Sequence, residues 1–197
     1  MAKGLTLTKE QILQRQNEIA SIALSFFNKK GFQKTSIREI AEAAAMGKSS
    51  LYDFFTAKDE IVVFIVEEKM KNLLQDTRNI ITLNLSPTSC LKKLMEMNLT
   101  YTKENSGLLL WVKSEERFLA AAYQKRLKKL HYDYQDMFQS VIERGISDGF
   151  FRNTDSSLAT RLLINSMLSI VYTTRSSNSP EDMLNMTLDI FLHGIII

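Results

Sequence analysis

Two clusters of polar residues at helix starts carry the arrangement that reads most clearly as chemistry. Thr35 and Ser36 head one short helical pattern, and Lys48, Ser49 and Ser50 head the next. A helix N-terminus exposes unpaired N–H groups and favours anions, so Thr35 and Ser36 are expected to offer hydroxyls and amides to a phosphate. Lys48, Ser49 and Ser50 at the mouth of a short helix suit base edges and flanking phosphates. Taken singly, the two serines read equally well as plain helix-start residues. Catalytic patterns are missing: there is no G-x-S-x-G, no phosphate-cradling glycine loop and no H-E-x-x-H, and Cys90 has no histidine beside it in sequence. The chain is therefore not expected to be an enzyme. His131, His193 and the lone Cys90 do not make a zinc site, so no metal or cofactor is expected.

The elements that position these residues follow from spacing. A first helix from about Thr8 to Lys30 places Ile19, Ile22, Ala23, Phe26 and Phe27 on one stripe and is stopped by Gly31. Ser36-Ile37-Arg38-Glu39 fits the capping box, so a second helix starts at Ile37. It buries Ile37, Ile40, Ala41 and Ala44 and ends near Ala45. Gly47 marks a turn. The third helix, "KSSLYDFF", grips the core with Leu51 and Phe55 and leaves Lys48, Ser49, Ser50 and Tyr52 near its open end. Two short helices joined by a tight turn and clamped by a longer one form a helix-turn-helix, whose second helix is sized for the major groove.

Composition and charge agree with a small polyanion-binding head on a neutral body. The 197 residues are 45% hydrophobic, with seven Gly and two Pro, which favours an all-α globular protein. Residues 1–57 hold eight Lys/Arg against five acids, whereas the remaining residues hold 17 of each, so the whole basic excess lies in the N-terminal segment. A merely solvated surface would give the same imbalance. The longest apolar run, "IVVFIV" at 61–66, falls far short of the roughly 18 residues a membrane span needs. With no apolar leader at the N-terminus, the expected location is the cytoplasm.

The segment "NEIASIALSFFNKKGFQKTSIREIAEAAAMGKSSLYDFFTAKDEI" resembles the N-terminal domain of the TetR (tetracycline-repressor-like) transcriptional regulators. That family's pattern is an apolar helix ending in Phe and Gly-aromatic, then Thr-Thr/Ser, Ile-Ala, a small-residue turn, Leu-Tyr-x-x-Phe and Lys. A looser echo lies in "VIERGISDGFFRN" and "LDIFLHGI". The resemblance implies that Tyr52 and Phe54 pack on the sugar-phosphate backbone and that Lys58 makes a phosphate contact. Ala45 stands where the family turn usually has Gly, Gly47 where Ser or Thr commonly caps the recognition helix, and Asp53 where other residues are frequent. These departures bear on base preference more than on the ability to bind.

From Lys58 onward the pattern reads as a second helical domain, giving 1–57 as the DNA-binding domain and 58–197 as an effector-binding and dimerisation domain. Helices are expected at Lys58–Ile81, Thr88–Glu104, Leu108–Ala121, Ala122–Ser147, Ser156–Thr174 and Glu181–His193. The last two are apolar around most of their circumference, so each is expected to bury one stripe in its own domain and one on a second subunit. Leu163, Met167, Ile170, Leu184, Leu188 and Phe191 are the interface candidates, and a buried hairpin in a monomer is the alternative. The resemblance implies an effector pocket in the middle helices, for which Met95, Leu99, Tyr101, Trp111, Phe118, Tyr134 and Phe138 are candidates, with Asn165 as a polar handle. Plain core packing is the commoner reading of any one of them, and a bond within the dimer seam suits Asn165 equally. The run "QKRLKKLH" at 124–131 reads chiefly as a solvated helix face.

The expected partners are a double-stranded DNA operator, a second copy of the chain and an unknown small-molecule effector, with no membrane. An effector-independent architectural or division-regulating DNA binder on the same scaffold is the competing reading.

Overall fold

The computed structural model describes residues 7–173 and 178–196. Among these the chain is all-α: α1 Lys9–Lys30, α2 Ile37–Ala43, α3 Lys48–Leu51, α4 Lys58–Ile81, α5 Pro87–Glu104, α6 Ser106–Glu115, α7 Ala121–Ser147, α8 Ser156–Tyr172 and α9 Pro180–Ile195, with a 3-10 turn at Glu116–Phe118. The one β pairing among the described residues is an isolated antiparallel bridge between Phe151 and Ile196. No helix among them is long and apolar enough to cross a membrane.

The chain forms two compact units, Met1–Lys69 with Glu116–Leu127, and Met70–Glu115 with Lys128–Ile197. The sequence pattern placed the division at 57/58. In the structure the first half of α4 and the start of α7 group with the N-terminal helices, so α4 and α7 contribute residues to both units. Within the first unit Arg126 of α7 reaches Glu67 of α4 through two charge-assisted hydrogen bonds, at 2.8 and 2.5 Å. Planar guanidinium and carboxylate match in this bidentate form.

Capping sets the starts of the N-terminal helices. Thr8 and Gln11 close a capping box on α1, and Ser36 and Glu39 close one on α2. Gly31 ends α1 at φ 85, a conformation natural to glycine. Its N–H still donates to Phe27 O at 2.9 Å. The core of this unit gathers Ile19, Ala23, Phe32, Ile40, Leu51, Phe55, Ile61 and Val63, all buried.

The second unit is a bundle in which α5, α8 and α9 pack on one another, filled by Leu91, Leu94, Met95, Phe138, Ile142, Leu163 and Met167. α7 ends where Gly145 lies under the Phe151 ring. A Cβ there would come within 2.1 Å of Phe151 Cδ2. Gly149 (φ 76) turns the chain back, and Arg152 N–H donates to Ile195 O at 2.7 Å beside the Phe151–Ile196 bridge.

Candidate nucleic-acid interface

The connection from α1 to α2 is tightly bonded. Thr35 is 2% exposed, and its hydroxyl donates to Gly31 O at 2.9 Å. It does not present that hydroxyl to a ligand, contrary to expectation: a side chain this buried satisfies its own polar atom within the fold. Ser36 is exposed, but its hydroxyl accepts from Glu39 N–H at 3.2 Å and donates to the Glu39 carboxylate at 2.8 Å. The Lys30 ammonium, together with the Ser36 N–H and hydroxyl, holds the Glu39 carboxyl down at about 2.

Lys58, the first residue of α4, is committed to the same connection. Its ammonium donates to Phe32 O at 2.8 Å and Thr35 O at 2.9 Å and sits 4.1 Å from the Phe32 ring centroid. Two of its three N–H donors are thus used inside the unit. Burial lowers its pKa, an effect that neighbouring Asp59 opposes.

The turn between α2 and α3 contains a left-handed residue with a side chain. Ala45, at the position where the family turn usually has Gly, adopts φ 52. α3 is shorter than its sequence pattern: one helical turn over Lys48–Leu51, followed by i→i+3 bonds from Tyr52, Asp53 and Phe54 N–H to Ser49, Ser50 and Leu51 O. Gly47 occupies the N-cap with no side-chain bond. Fully buried Leu51 and Phe55 anchor the segment, with Phe55 edge-on to Phe64 at 5.4 Å. Lys48, Ser49, Ser50 and Tyr52 are all exposed, with the Lys48 ammonium 6.0 Å from the Tyr52 ring centroid. Phe54 is half-buried, and its carbonyl accepts from Gln16 Nε2 at 3.0 Å. The structure therefore brings four of the eight expected DNA-facing residues together as a free polar surface. It puts Thr35 and Lys58 into the scaffold beneath.

In the second unit Met95, Leu99, Tyr134 and Phe138 meet in the buried core, with the two rings 5.1 Å apart and edge-on. Tyr101 packs at its margin, its hydroxyl 3.7 Å from Met70 Sδ, and Trp111 is half-buried. Two further candidates, Phe118 and Asn165, are exposed. Phe118 is 65% exposed in the 3-10 turn, with the Arg117 guanidinium over its ring, and Asn165 lies on the exposed side of α8. Buried Asn98 and Thr160 were missed. Asn98 Nδ2, Tyr134 OH and Thr160 Oγ1 have no hydrogen-bond partner among the described residues. A polar residue on the buried stripe of an amphipathic helix was the available signal: Asn98 follows Leu94 by four, and Thr160 precedes Ile164 by four. Burial pushes the Tyr101 phenol up to about 12 and raises that of Tyr134 further, so both are neutral.

The interface candidates also need revision. Leu163, Met167, Ile170, Leu184 and Leu188 are 1–5% exposed and fill their own unit's core, and Phe191 is partly buried against it. The stripes left open are Leu158 and Leu162 on α8 and Met186 and Ile190 on α9, at 46, 61, 55 and 73% exposure. Both faces of each helix are apolar, so periodicity found two stripes without ranking them.

Residues 19–63 match the family described as bacterial regulatory proteins, tetR family, and residues 84–195 match the tetracyclin repressor-like C-terminal domain. Among curated relatives, the HTH-type transcriptional repressor KstR2 of Rhodococcus jostii is 28% identical over 151 residues, covering 76% of this chain and 74% of the relative. The fold is shared with the regulator FadR from Bacillus subtilis in complex with stearoyl-CoA, at TM-score 0.78 and 16% identity, covering 90% of this chain and 98% of that one. It is shared also with AibR in complex with isovaleryl coenzyme A and operator DNA, at TM-score 0.75 and 18% identity, covering 89% and 97%.

Proposed function

Since the chain belongs to the TetR family of DNA-binding transcription regulators, we propose that it is a homodimeric repressor released from its operator by a small amphipathic effector of the acyl-thioester class. The observation that carries the DNA half is α3, anchored by Leu51 and Phe55 and presenting Lys48, Ser49, Ser50 and Tyr52 to solvent. Such a segment meets base edges with its free polar side chains while the rest of the head sets its register.

Three buried polar atoms without partners among the described residues, Asn98 Nδ2, Tyr134 OH and Thr160 Oγ1, support the effector half. An unmade hydrogen bond in an apolar core costs about 1–3 kcal/mol, and a ligand oxygen accepting from such donors removes that penalty. FadR is solved in complex with stearoyl-CoA and AibR in complex with isovaleryl coenzyme A and operator DNA, and both compounds combine an apolar chain with a thioester carbonyl. The open apolar stripes of α8 and α9 support the dimer: each has two large residues at i, i+4 facing away from its own core. Effector binding then shifts the population toward a form whose two heads no longer fit successive major grooves.

The test selects duplexes from the genome with purified protein and titrates the enriched sequence with and without stearoyl-CoA and isovaleryl-CoA. Release of DNA by either thioester, but not by free CoA, is the expected result. Tight DNA binding indifferent to both compounds would favour the architectural reading, to which the fully buried Leu91, Met95 and Phe138 lend some support as a filled core.

A further inference from the structure

We infer that Arg15 and Gln16, two consecutive side chains of α1, are positioning residues for the reading helix and set sequence discrimination rather than general affinity for DNA. The inference rests on the DNA-binding reading of the head. α3 is a single turn whose glycine N-cap supplies no side-chain bond. An isolated helix of that length has almost no stability of its own, so its pose must be imposed from outside. Leu51 and Phe55 fix its depth in the core but, being apolar, do little to fix its rotation.

Arg15 and Gln16 supply that constraint from either flank. Arg15 Nη2 donates to Ala44 O at 2.8 Å, on the α2 side of the left-handed Ala45, and Arg15 Nη1 is held by the Glu18 carboxylate at 2.6 Å. Gln16 Nε2 donates to Phe54 O at 3.0 Å, immediately after the helical segment. Donors on one rigid 22-residue helix thus grip the carbonyls before and after Lys48–Leu51. A base contact is directional and is lost with small errors of pose, whereas a phosphate contact tolerates slack. Loosening the grip therefore degrades readout first.

The test measures fluorescence anisotropy on a duplex enriched by the wild-type protein from a random library and on a scrambled duplex of equal composition, at several salt concentrations. The variants are Arg15→Met and Gln16→Met, neither of which can donate, and Arg15→Lys, whose ammonium still can. Arg15→Met and Gln16→Met are each expected to weaken the enriched duplex about tenfold, leaving the scrambled duplex within about twofold and the salt slope unchanged. Arg15→Lys is expected to recover part of the loss. Equal weakening on both duplexes with a shallower salt slope would make Arg15 a phosphate contact and overturn the inference, as would unchanged binding to both. A wild-type protein that enriches no duplex overturns the DNA reading itself, and this inference with it.

Discussion

Lys58 and Phe32 are joined twice: the Lys58 ammonium lies 4.1 Å from the Phe32 ring centroid and 2.8 Å from the same residue's carbonyl oxygen. With the bond to Thr35 O, this makes the first residue of α4 a clasp on the α1–α2 connection. Hydrogen bonds from a charged donor contribute about 1.5–3 kcal/mol each, and partial exposure lowers that. Lys58→Met is therefore expected to reduce stability by roughly 1–3 kcal/mol in urea unfolding. The salt slope of DNA binding should stay as in the wild type. A slope falling by about one per half-site would instead assign Lys58 to a phosphate.

Glu39 gives a pH dependence of known sign. Its carboxyl lies at about 2 in the folded chain against an ordinary 4.5. A depressed carboxyl stabilises the fold above the unfolded value and loses that contribution as pH falls through the folded one. The difference in melting temperature between wild type and Glu39→Gln should be constant above about pH 5 and shrink toward zero as pH approaches about 2. A difference that grew on acidification would contradict the Lys30–Glu39–Ser36 arrangement.

Ala45 holds φ 52 where a side chain is disfavoured by about 1–2 kcal/mol. Glycine relieves that strain but surrenders roughly 0.5–1 kcal/mol of backbone entropy. Ala45→Gly is thus expected to stabilise the protein by about 0.5 kcal/mol, and Ala45→Val to destabilise it. Thermal unfolding of both variants checks the pair.

The two stripes of the closing helices separate assembly from folding. Leu162→Glu or Ile190→Glu places a carboxylate on an open face and should give a folded monomer by sedimentation at micromolar concentration. Leu163→Glu strands a charge in the core and should cost several kcal/mol of stability. A wild-type chain that sediments as a monomer would remove the dimer from the proposed function.

Local signals made much of this legible. Ser36 and Glu39 lie three residues apart, so their capping box is written in one stretch of chain, as is the stop at Gly31. Contacts between distant residues were not legible. Nothing in the string says that Arg15 reaches Ala44, 29 residues away, or that Lys58 turns back to Phe32. Thr35 reads as an exposed hydroxyl until the fold buries it. Leu162 and Leu163 are adjacent and chemically identical, and only packing decides that one faces solvent and the other the core.

The brevity of α3 also governs how the protein responds to warmth. Segments held by few buried contacts open with far less free energy than the global fold. The amides of residues 48–54 should therefore exchange with solvent early, while those of the α5 and α7 cores remain protected. Fidelity is then more heat-sensitive than integrity. As temperature rises, the preference for the enriched duplex should decay well before the helices melt, leaving a folded protein that still adheres to DNA but no longer distinguishes one sequence from another.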